Sequence, residues 1–411
     1  MRQLSRPPLC LMEGGAGRSA LRKPESATTA ITNSEFNHRG DSRMTNASRR
    51  DFVRASAIAA GSLAAGLSAN FVAADAKAIQ RTRSHNPEAV PPTGDYIVID
   101  LLAESETIAQ LAEPPSDLLT NDLYKTTSMV LRRIPKGTFS MGSPGTEKGR
   151  EPHGEGSEAQ HEVTLTNDFY IAVFPCTQGQ YKAITGFNPN ELKHEAGGLP
   201  ADYVGDKLPV GNVGWYQTRG GTWPGGDPDP SSFMGKLRHL YKEKYGLSPQ
   251  SVWGFDLPTE AQWEYACRAG TTKAYNNDTD CLVDKVVVDD QEISADAQDK
   301  NLDPLAHYRF NTWCLGKGPQ EVGGKQPNNW GLFDMHGNCW DWCLDLYEDY
   351  DGPVTDPVGA SLDSGSVNRI KRGGCGNTQP YRCRSANRSR RDPSDPFTAV
   401  GWGFRVALPV D

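Results

Sequence analysis

The chain has 411 residues, with 43 Lys and Arg, 51 Asp and Glu, a net charge of −8 and 37% hydrophobic residues. The acidic balance argues against a general nucleic-acid-binding protein, and no run of 18 apolar residues marks a membrane-spanning helix. The 42 Gly, 29 Pro and nine Trp favour a fold rich in loops and aromatic packing over one built on long helices.

Residues 44–76 contain the three parts of an export signal. Arg49-Arg50 precedes a weakly apolar stretch at 55–74, and a small-residue Ala-x-Ala pattern ends it. Paired arginines followed by Asp-Phe resemble twin-arginine signals, which export folded proteins; the alternative is an Ala-rich helix after a basic patch. Residues 1–43 are polar and basic, and we expect them to be sequence upstream of the true start or a disordered extension.

Cleavage after residue 76 would change the composition of the remaining chain. Residues 77–411 carry 33 basic and 45 acidic side chains, a net charge of −12, and eight Cys. The predicted location is periplasmic or extracellular, where disulfides are permitted, with no membrane span after signal cleavage. We expect a linker or N-terminal extension at 77–128 and one domain at 129–411.

Short strands and two helices are predicted along this mature chain. Alternation at 130–134 and 138–141 around Pro135-Lys136-Gly137 predicts a β-hairpin. Apolar spacing predicts a helix over 231–245, and Thr259 with Gln262 forms a capping box that predicts the start of another. Further strands are predicted at 96–101, 161–165, 169–171, 367–371 and 403–407. The long stretches between these elements indicate an irregular, loop-rich α+β domain.

Five motifs follow one another in a distinctive order. They are Ile134–Ser143 (IPKGTFSMGS), Leu257–Gly270 (LPTEAQWEYACRAG), Pro327–Trp342 (PNNWGLFDMHGNCWDW), Arg372-Gly373-Gly374 with Arg384–Arg388, and Gly403-Phe404-Arg405. This order resembles the sulfatase-modifying-factor domain of formylglycine-generating enzymes over about residues 129–408. The resemblance implies an α+β fold related to C-type lectins, with calcium bound inside it.

The resemblance implies one calcium site in the third motif. Its ligands would be the carboxylates of Asp334 and Asp341 and the carbonyl oxygens of Gly337 and Cys339. A hard cation prefers such oxygen ligands, and a glycine turn can aim successive carbonyls inward. The alternative is an Asx turn beside two core tryptophans.

The resemblance also implies a copper site, in which two thiolates bind one Cu(I) and O₂ then oxidises a substrate cysteine to formylglycine. The candidates here are Cys375 and Cys383, which are separated by eight residues where the family pattern has five. Three interpretations stay open: a copper pair, a disulfide from Cys383 to Cys339 or Cys343, or buried free thiols. Export and the even count of eight favour structural roles over copper.

The implied active-site groove is bordered by Trp340 and Arg388. Arg388 belongs to a basic cluster at 382–391, which would either form ion pairs within the fold or meet an anionic or peptide-backbone partner.

Two functions follow from the sequence. One is an exported protein that oxidatively modifies a protein or small substrate, and the other is a non-catalytic module that binds a protein or glycan outside the cytoplasm.

Overall fold

The computed structural model describes residues 92–102, 108–150, 158–245, 254–288, 291–294, 298–393 and 399–410. The export signal and the upstream segment predicted within 1–76 lie outside these residues. No helix in the described ranges is long and apolar enough to cross a membrane.

The described part of the chain contains short strands and short helices joined by long loops. The strands are β1 (Tyr96–Asp100), β2 (Ala109–Leu111), β3 (Ser128–Ile134), β4 (Gly137–Met141), β5 (His161–Leu165), β6 (Phe169–Ala172), β7 (Lys285–Val288), β8 (Gln291–Ser294), β9 (Trp340–Leu346), β10 (Val354–Thr355), β11 (Arg369–Arg372), β12 (Arg388–Arg391), β13 (Trp402–Phe404) and β14 (Ala407–Pro409). The α-helices are α1 (Gln178–Thr185), α2 (Pro189–Glu195), α3 (Trp215–Thr218), α4 (Phe233–Tyr245) and α5 (Glu260–Arg268). This mixture confirms the predicted α+β, loop-rich class.

Two sheets form the framework around the site. The larger has the order β14-β6-β3-β1-β2, and the second has the order β12-β11-β9-β13. Strand β1 lies antiparallel to β3, with Ile97 opposite Leu131, and both side chains are fully buried. Residues 96–100, within the predicted linker or extension, are therefore a strand of the larger sheet.

The predicted hairpin at 130–141 is wrong. Strand β3 pairs with β1 and β6, whereas β4 pairs with β5 in a separate sheet of order β10-β5-β4. The Lys136 N–H donates to Asp168 Oδ1 at 2.9 Å, which anchors the turn where the chain leaves one sheet for the other. Alternation along the sequence identified both strands, but it carries no information about which strand each one joins.

Both predicted helices are confirmed. In α5 the Thr259 hydroxyl accepts the Gln262 N–H at 3.2 Å and the Gln262 amide oxygen accepts the Thr259 N–H at 3.0 Å. These two bonds satisfy donors that a helix N-terminus otherwise leaves unpaired. Trp263 and Cys267 lie one turn apart on the buried face, and α4 likewise buries Phe233.

The strand predicted at 403–407 divides into two. Strand β13 lies parallel to β9, with Gly403 opposite Asp341, and β14 lies antiparallel to β6 in the other sheet. Arg405 sits in the connection between them and is fully buried. The chain therefore ties the two sheets together directly behind the third motif.

Candidate functional site

Two glycines shape the loop that follows β11. Gly373 and Gly374 have φ values of 98° and 81°, in the left-handed region that favours glycine. A Cβ on Gly374 would lie 2.6 Å from Cys383 Sγ, so the cysteine sulfur occupies the space that a side chain would need. The Arg-Gly-Gly motif thus turns the chain sharply and seats Cys383 against it.

Cys375 follows this turn and reaches a groove. Its backbone N–H donates to Thr378 Oγ1 at 2.9 Å, and its thiol donates to Asn377 Oδ1 at 2.9 Å. Its sulfur lies against Gly401, where a Cβ would approach to 2.7 Å. Burial raises the pKa of this thiol, which is 5% exposed, so the resting group is a thiol rather than a thiolate.

Cys383 lies behind the loop. It ends a 3₁₀ helix, Pro380–Cys383, and is fully buried. Its Sγ is 3.3 Å from Thr378 Oγ1, and its carbonyl accepts a hydrogen bond from His336 Nδ1 at 2.6 Å. Burial raises the pKa of its thiol to about 12. Cys383 does not line the groove that Cys375 reaches.

The groove is shallow and open to solvent, with a cavity volume of about 30 Å³. Two aromatic side chains, one from each of two 3₁₀ turns, stand on its walls, and backbone and amide groups complete it. Its side chains include Tyr203, Trp313, Lys317, Asn338, Cys375 and Asn377. Trp313 is 46% exposed, so an apolar ring face is open to solvent at the groove.

The two candidate catalytic cysteines have different surroundings, and a copper site between them stays a prediction. Two sulfur donors suit Cu(I) chemically. However, Cys375 is engaged by Asn377 and Cys383 by Thr378, and no hydrogen bond joins the two sulfurs. All eight cysteines in the described ranges are free, so Cys383 is not joined to Cys339 or Cys343 either. The structure therefore has free thiols and no disulfide at Cys383, and the copper pair stays a prediction.

Asp341, a predicted calcium ligand, has an arginine for a neighbour. Its Oδ2 accepts Arg405 Nε–H at 2.7 Å and Trp263 Nε1–H at 2.9 Å, and all three side chains are buried. Burial raises the pKa of Asp341, and the Arg405 charge opposes that rise. Asp341 Oδ1 is buried without a hydrogen-bond partner. That oxygen is available to a further ligand, but the positive charge nearest to this carboxylate already comes from the protein.

Two further predicted calcium ligands, Asp334 and Gly337, are also engaged by protein groups. Asp334 accepts the Gly323 N–H at 2.7 Å and the Asn338 side-chain N–H at 3.3 Å. The Gly337 carbonyl accepts the Cys339 N–H at 2.7 Å. Within the described residues, no cluster of three or more His, Cys, Asp or Glu is arranged to hold a metal. Asp334, Gly337 and Cys339 precede β9 and Asp341 lies on it, and the calcium site stays a prediction.

The two predicted groove residues have different surroundings. The Trp340 side chain faces the Cys375 sulfur from β9, but Trp340 is not among the residues that line the groove. Arg388 instead pairs with Glu260 at 2.7 Å and lies over the ring of Tyr350, with its centroid at 4.0 Å. Arg388 is not among the residues that line the groove.

Buried ion pairs hold the cysteine loop in place. Arg372 pairs with Glu260 and Glu264 on α5, and Arg384 pairs with Glu158 at 2.9 Å. These side chains are at most 3% exposed, so the loop is fixed at both ends by charges withdrawn from water. Two arginines of the predicted basic cluster, Arg384 and Arg388, therefore form ion pairs within the fold.

The sequence did not single out Lys371 and Trp402. Lys371 on β11 is 3% exposed, and its Nζ lies 3.7 Å from the centroid of the Trp402 ring on β13. The sequence carried little signal here, because β11 reads Arg-Ile-Lys-Arg and three of its four residues are charged. The tryptophan that receives it comes 31 positions later in the chain.

Comparison with known proteins agrees with this architecture. Residues 116–410 match the family of the sulfatase-modifying factor enzyme 1-like domain. The chain belongs to this family. Its matched region contains β3 to β14, the groove and both candidate cysteines, so the resemblance based on the five motifs is confirmed.

Individual relatives are distant in sequence. The chain is 27% identical over 312 residues to the formylglycine-generating enzyme of Streptomyces coelicolor, covering 68% of this chain and 89% of that enzyme. It is 26% identical over 302 residues to the formylglycine-generating enzyme of Mus musculus, covering 67% and 73%. Among solved structures, Treponema denticola variable protein 1 aligns at 23% identity with a TM-score of 0.49, over 69% of this chain and 95% of that one.

Proposed function

We propose that this protein is exported and oxidatively modifies a protein or small-molecule substrate bound in the groove, with Cys375 at the point of reaction. The observation that carries the proposal is that Cys375 belongs to the loop after the Arg-Gly-Gly motif and lines the groove. Formylglycine generation on a sulfatase is the most specific form of this proposal.

The groove residues suit a peptide-like or small polar substrate. Trp313 and Tyr203 offer aromatic faces, on which aromatic or aliphatic groups pack. Asn377 holds the Cys375 thiol at 2.9 Å and so fixes the direction of its S–H bond. Trp340 supports the same sulfur from β9, and Gly401 leaves the space that the sulfur occupies. The chain's own contribution is to bind the substrate and to orient one thiol.

No step of the proposed reaction is assigned to copper. Family enzymes use Cu(I) between two cysteines, but here Cys383 lies outside the groove and contacts Thr378. Cys375 is therefore the group that we place against the substrate, and O₂ is the proposed acceptor of the electrons that the substrate loses on oxidation. Support for export comes from Arg49-Arg50 and the apolar stretch after it in the sequence.

The test is a substrate assay with matched cysteine variants. The full chain is co-expressed with a sulfatase, and conversion of the sulfatase cysteine is measured by mass spectrometry. The purified protein is then supplied with a cysteine peptide and O₂, with and without Cu(I). We expect an O₂-dependent product that Cys375→Ser abolishes and Cys383→Ser leaves largely intact.

Equal loss of product in both variants would show that the two cysteines act as a pair, against our assignment. Absence of any oxidised product, with copper and O₂ present, would rule out oxidation of cysteine substrates.

A second candidate function is a non-catalytic binding module for a protein or glycan. It is favoured by the position of Cys383, because only one of the two candidate sulfurs reaches the groove. In that case peptide or glycan binding, measured by calorimetry, would be weakened by Trp313→Ala and unaffected by Cys375→Ser. Turnover that depends on Cys375 would exclude this candidate.

A further inference from the structure

Lys317 is the one charged side chain among the residues that line the groove. It is exposed, and no carboxylate in the described part of the chain lies within ion-pair distance of its Nζ. The acidic side chains next to it in the fold have other partners. Glu321 pairs with two lysines outside the groove, at 2.9 and 3.3 Å, and Asp202 Oδ2 accepts the Gly318 N–H at 3.1 Å. The groove of this acidic chain therefore presents a positive charge that the protein does not pair.

The side-chain groups that the groove leaves open are hydrogen-bond donors. The Cys375 thiol donates to Asn377 Oδ1 at 2.9 Å, so the amide oxygen is occupied and the amide nitrogen is left to donate. Among the described residues, no acceptor takes the Asn377 Nδ2–H, the indole N–H of Trp313 or the ammonium of Lys317. An indole N–H and an ammonium cannot act as acceptors. These three groups can be satisfied only by water or by acceptors on a ligand.

Main-chain acceptors of the groove are engaged by protein donors. Carbonyl oxygens of the lining residues accept hydrogen bonds from within the protein at 2.8–3.3 Å, among them those of Gly318, Pro319, Asn338, Cys375 and Gly401. A ligand in the groove therefore meets open donors and one cation, and few open acceptors. Hydrogen bonds between an ammonium and a carboxylate are about twice as strong as those between neutral groups, so this surface favours a negatively charged ligand rich in acceptors.

The shape of the groove favours an extended ligand. Pockets that enclose a small molecule have volumes of about 300–1,000 Å³. The groove holds about 30 Å³ and covers only one face of whatever lies in it. A peptide segment along the surface fits this shape, and its main-chain carbonyl oxygens are acceptors for Asn377 and Trp313. An acidic side chain on that segment would supply the negative charge that faces Lys317.

We propose that Lys317 determines substrate specificity by pairing with an Asp or Glu side chain of a peptide substrate that lies in the groove. Asn377 and Trp313 donate to the main chain of the same peptide. The inference deepens the proposed function and rests on it in taking the groove as the substrate site. It narrows the substrate to a peptide with an acidic residue close to the residue that meets Cys375.

The experiment measures peptide binding by the full chain without turnover. Fluorescently labelled peptides carry Ser where a substrate would carry Cys, and one Asp is moved through the positions on either side of it. Each peptide is paired with its Asn and Lys counterparts, and Kd is measured by fluorescence anisotropy. Wild type is compared with Lys317→Met and with the charge reversal Lys317→Glu. Lys207→Met is the matched control, because that lysine lies outside the groove and pairs with Asp122 at 3.2 Å.

Wild type should bind the best Asp peptide about 2- to 5-fold more tightly than its Asn counterpart, the range for an exposed ion pair. The preference should largely disappear at about 1 M salt, where the screening length is about 3 Å. Lys317→Met should bind the two peptides equally, and Lys317→Glu should prefer the Lys peptide. Lys207→Met should keep the preference of wild type. A loss of folding cannot produce the reversed preference, so the Lys317→Glu result reports on specificity alone.

Equal binding of Asp, Asn and Lys peptides by wild type at every position would overturn the proposal, as would failure to bind any of them. An equal loss of preference in Lys207→Met and Lys317→Met would also overturn it, because the effect would then come from net charge. An acidic preference without any oxidised product would sink the proposed oxidation and leave this specificity in place. Oxidation of peptides regardless of their charge would sink only the specificity.

Discussion

The buried pair of Asp341 and Arg405 offers the sharpest test of how the third motif is stabilised. Arg405 makes its other hydrogen bonds to the neutral carbonyls of Ala172, Val173 and Phe333. Asp341 is thus the one carboxylate bonded to this guanidinium among the described residues. Asp341→Asn keeps the shape of the side chain and removes its charge.

The expected loss of stability follows from the burial of both partners. Asp341 is 1% exposed and Arg405 is fully buried, so the substitution leaves a cation in the core without a counter-charge. Breaking a buried pair in this way costs about 3–5 kcal/mol. The free energy of unfolding is measured by urea denaturation. Asp334→Asn is the matched control, because Asp334 accepts only neutral donors, and it should lose about 1–2 kcal/mol.

The same experiment decides whether calcium contributes. If Arg405 alone neutralises the Asp341 carboxylate, Asp341→Asn should lose the same free energy of unfolding with chelator as with added calcium. The calcium site predicted from sequence requires that chelator destabilise wild type and leave Asp341→Asn unaffected. A loss below about 1 kcal/mol in Asp341→Asn would refute the idea that the buried Arg405 cation depends on this carboxylate.

Three further predictions concern the loop and its surroundings. Gly401→Ala should destabilise the protein by about 1–3 kcal/mol in urea, because its Cβ would lie 2.7 Å from Cys375 Sγ; Gly376→Ala, with its nearest neighbour at 3.5 Å, should change little. Burial, followed by the negative charge of Glu260, raises the pKa of Asp345 in the folded protein to about 8. Unfolding therefore releases a proton from Asp345 between about pH 4 and about pH 8, so the free energy of unfolding falls as the pH rises over that range. Over that range Asp345→Asn should gain melting temperature relative to wild type, and a difference independent of pH would contradict this. Peptide mass spectrometry after alkylation in denaturant without reductant should show Cys383 modified, whereas a disulfide there would leave it unmodified until reduction.

Local signals predicted the elements that depend on neighbouring residues. The capping box at Thr259 and Gln262 defines the start of α5 because its hydrogen bonds span only three positions. Alternation located β3 and β4 but could not show that they belong to different sheets, since partners are chosen by packing between distant segments. The divided strand at 403–407 has the same cause: Arg405 must reach Asp341 on β9 while β14 turns to β6.

The candidate site was predicted in part. Motif order identified the family and drew attention to Cys375, Cys383 and Trp340. It could not show that Cys375 lines the groove while Cys383 lies behind Gly374, because both are cysteines of one short loop. That difference comes from the direction each side chain takes after the two left-handed glycines.

The sequence by itself determined the family, the loop-rich α+β class and the helix caps, because each is written in residues close together in the chain. The tertiary structure alone decided the neighbours of the loop. Cys375 meets Gly401, 26 positions later in the chain, and Lys371 meets Trp402, 31 positions later. Those contacts form only when β9, β11 and β13 align in one sheet, and they make one cysteine of this acidic, tryptophan-rich chain the candidate reacting group.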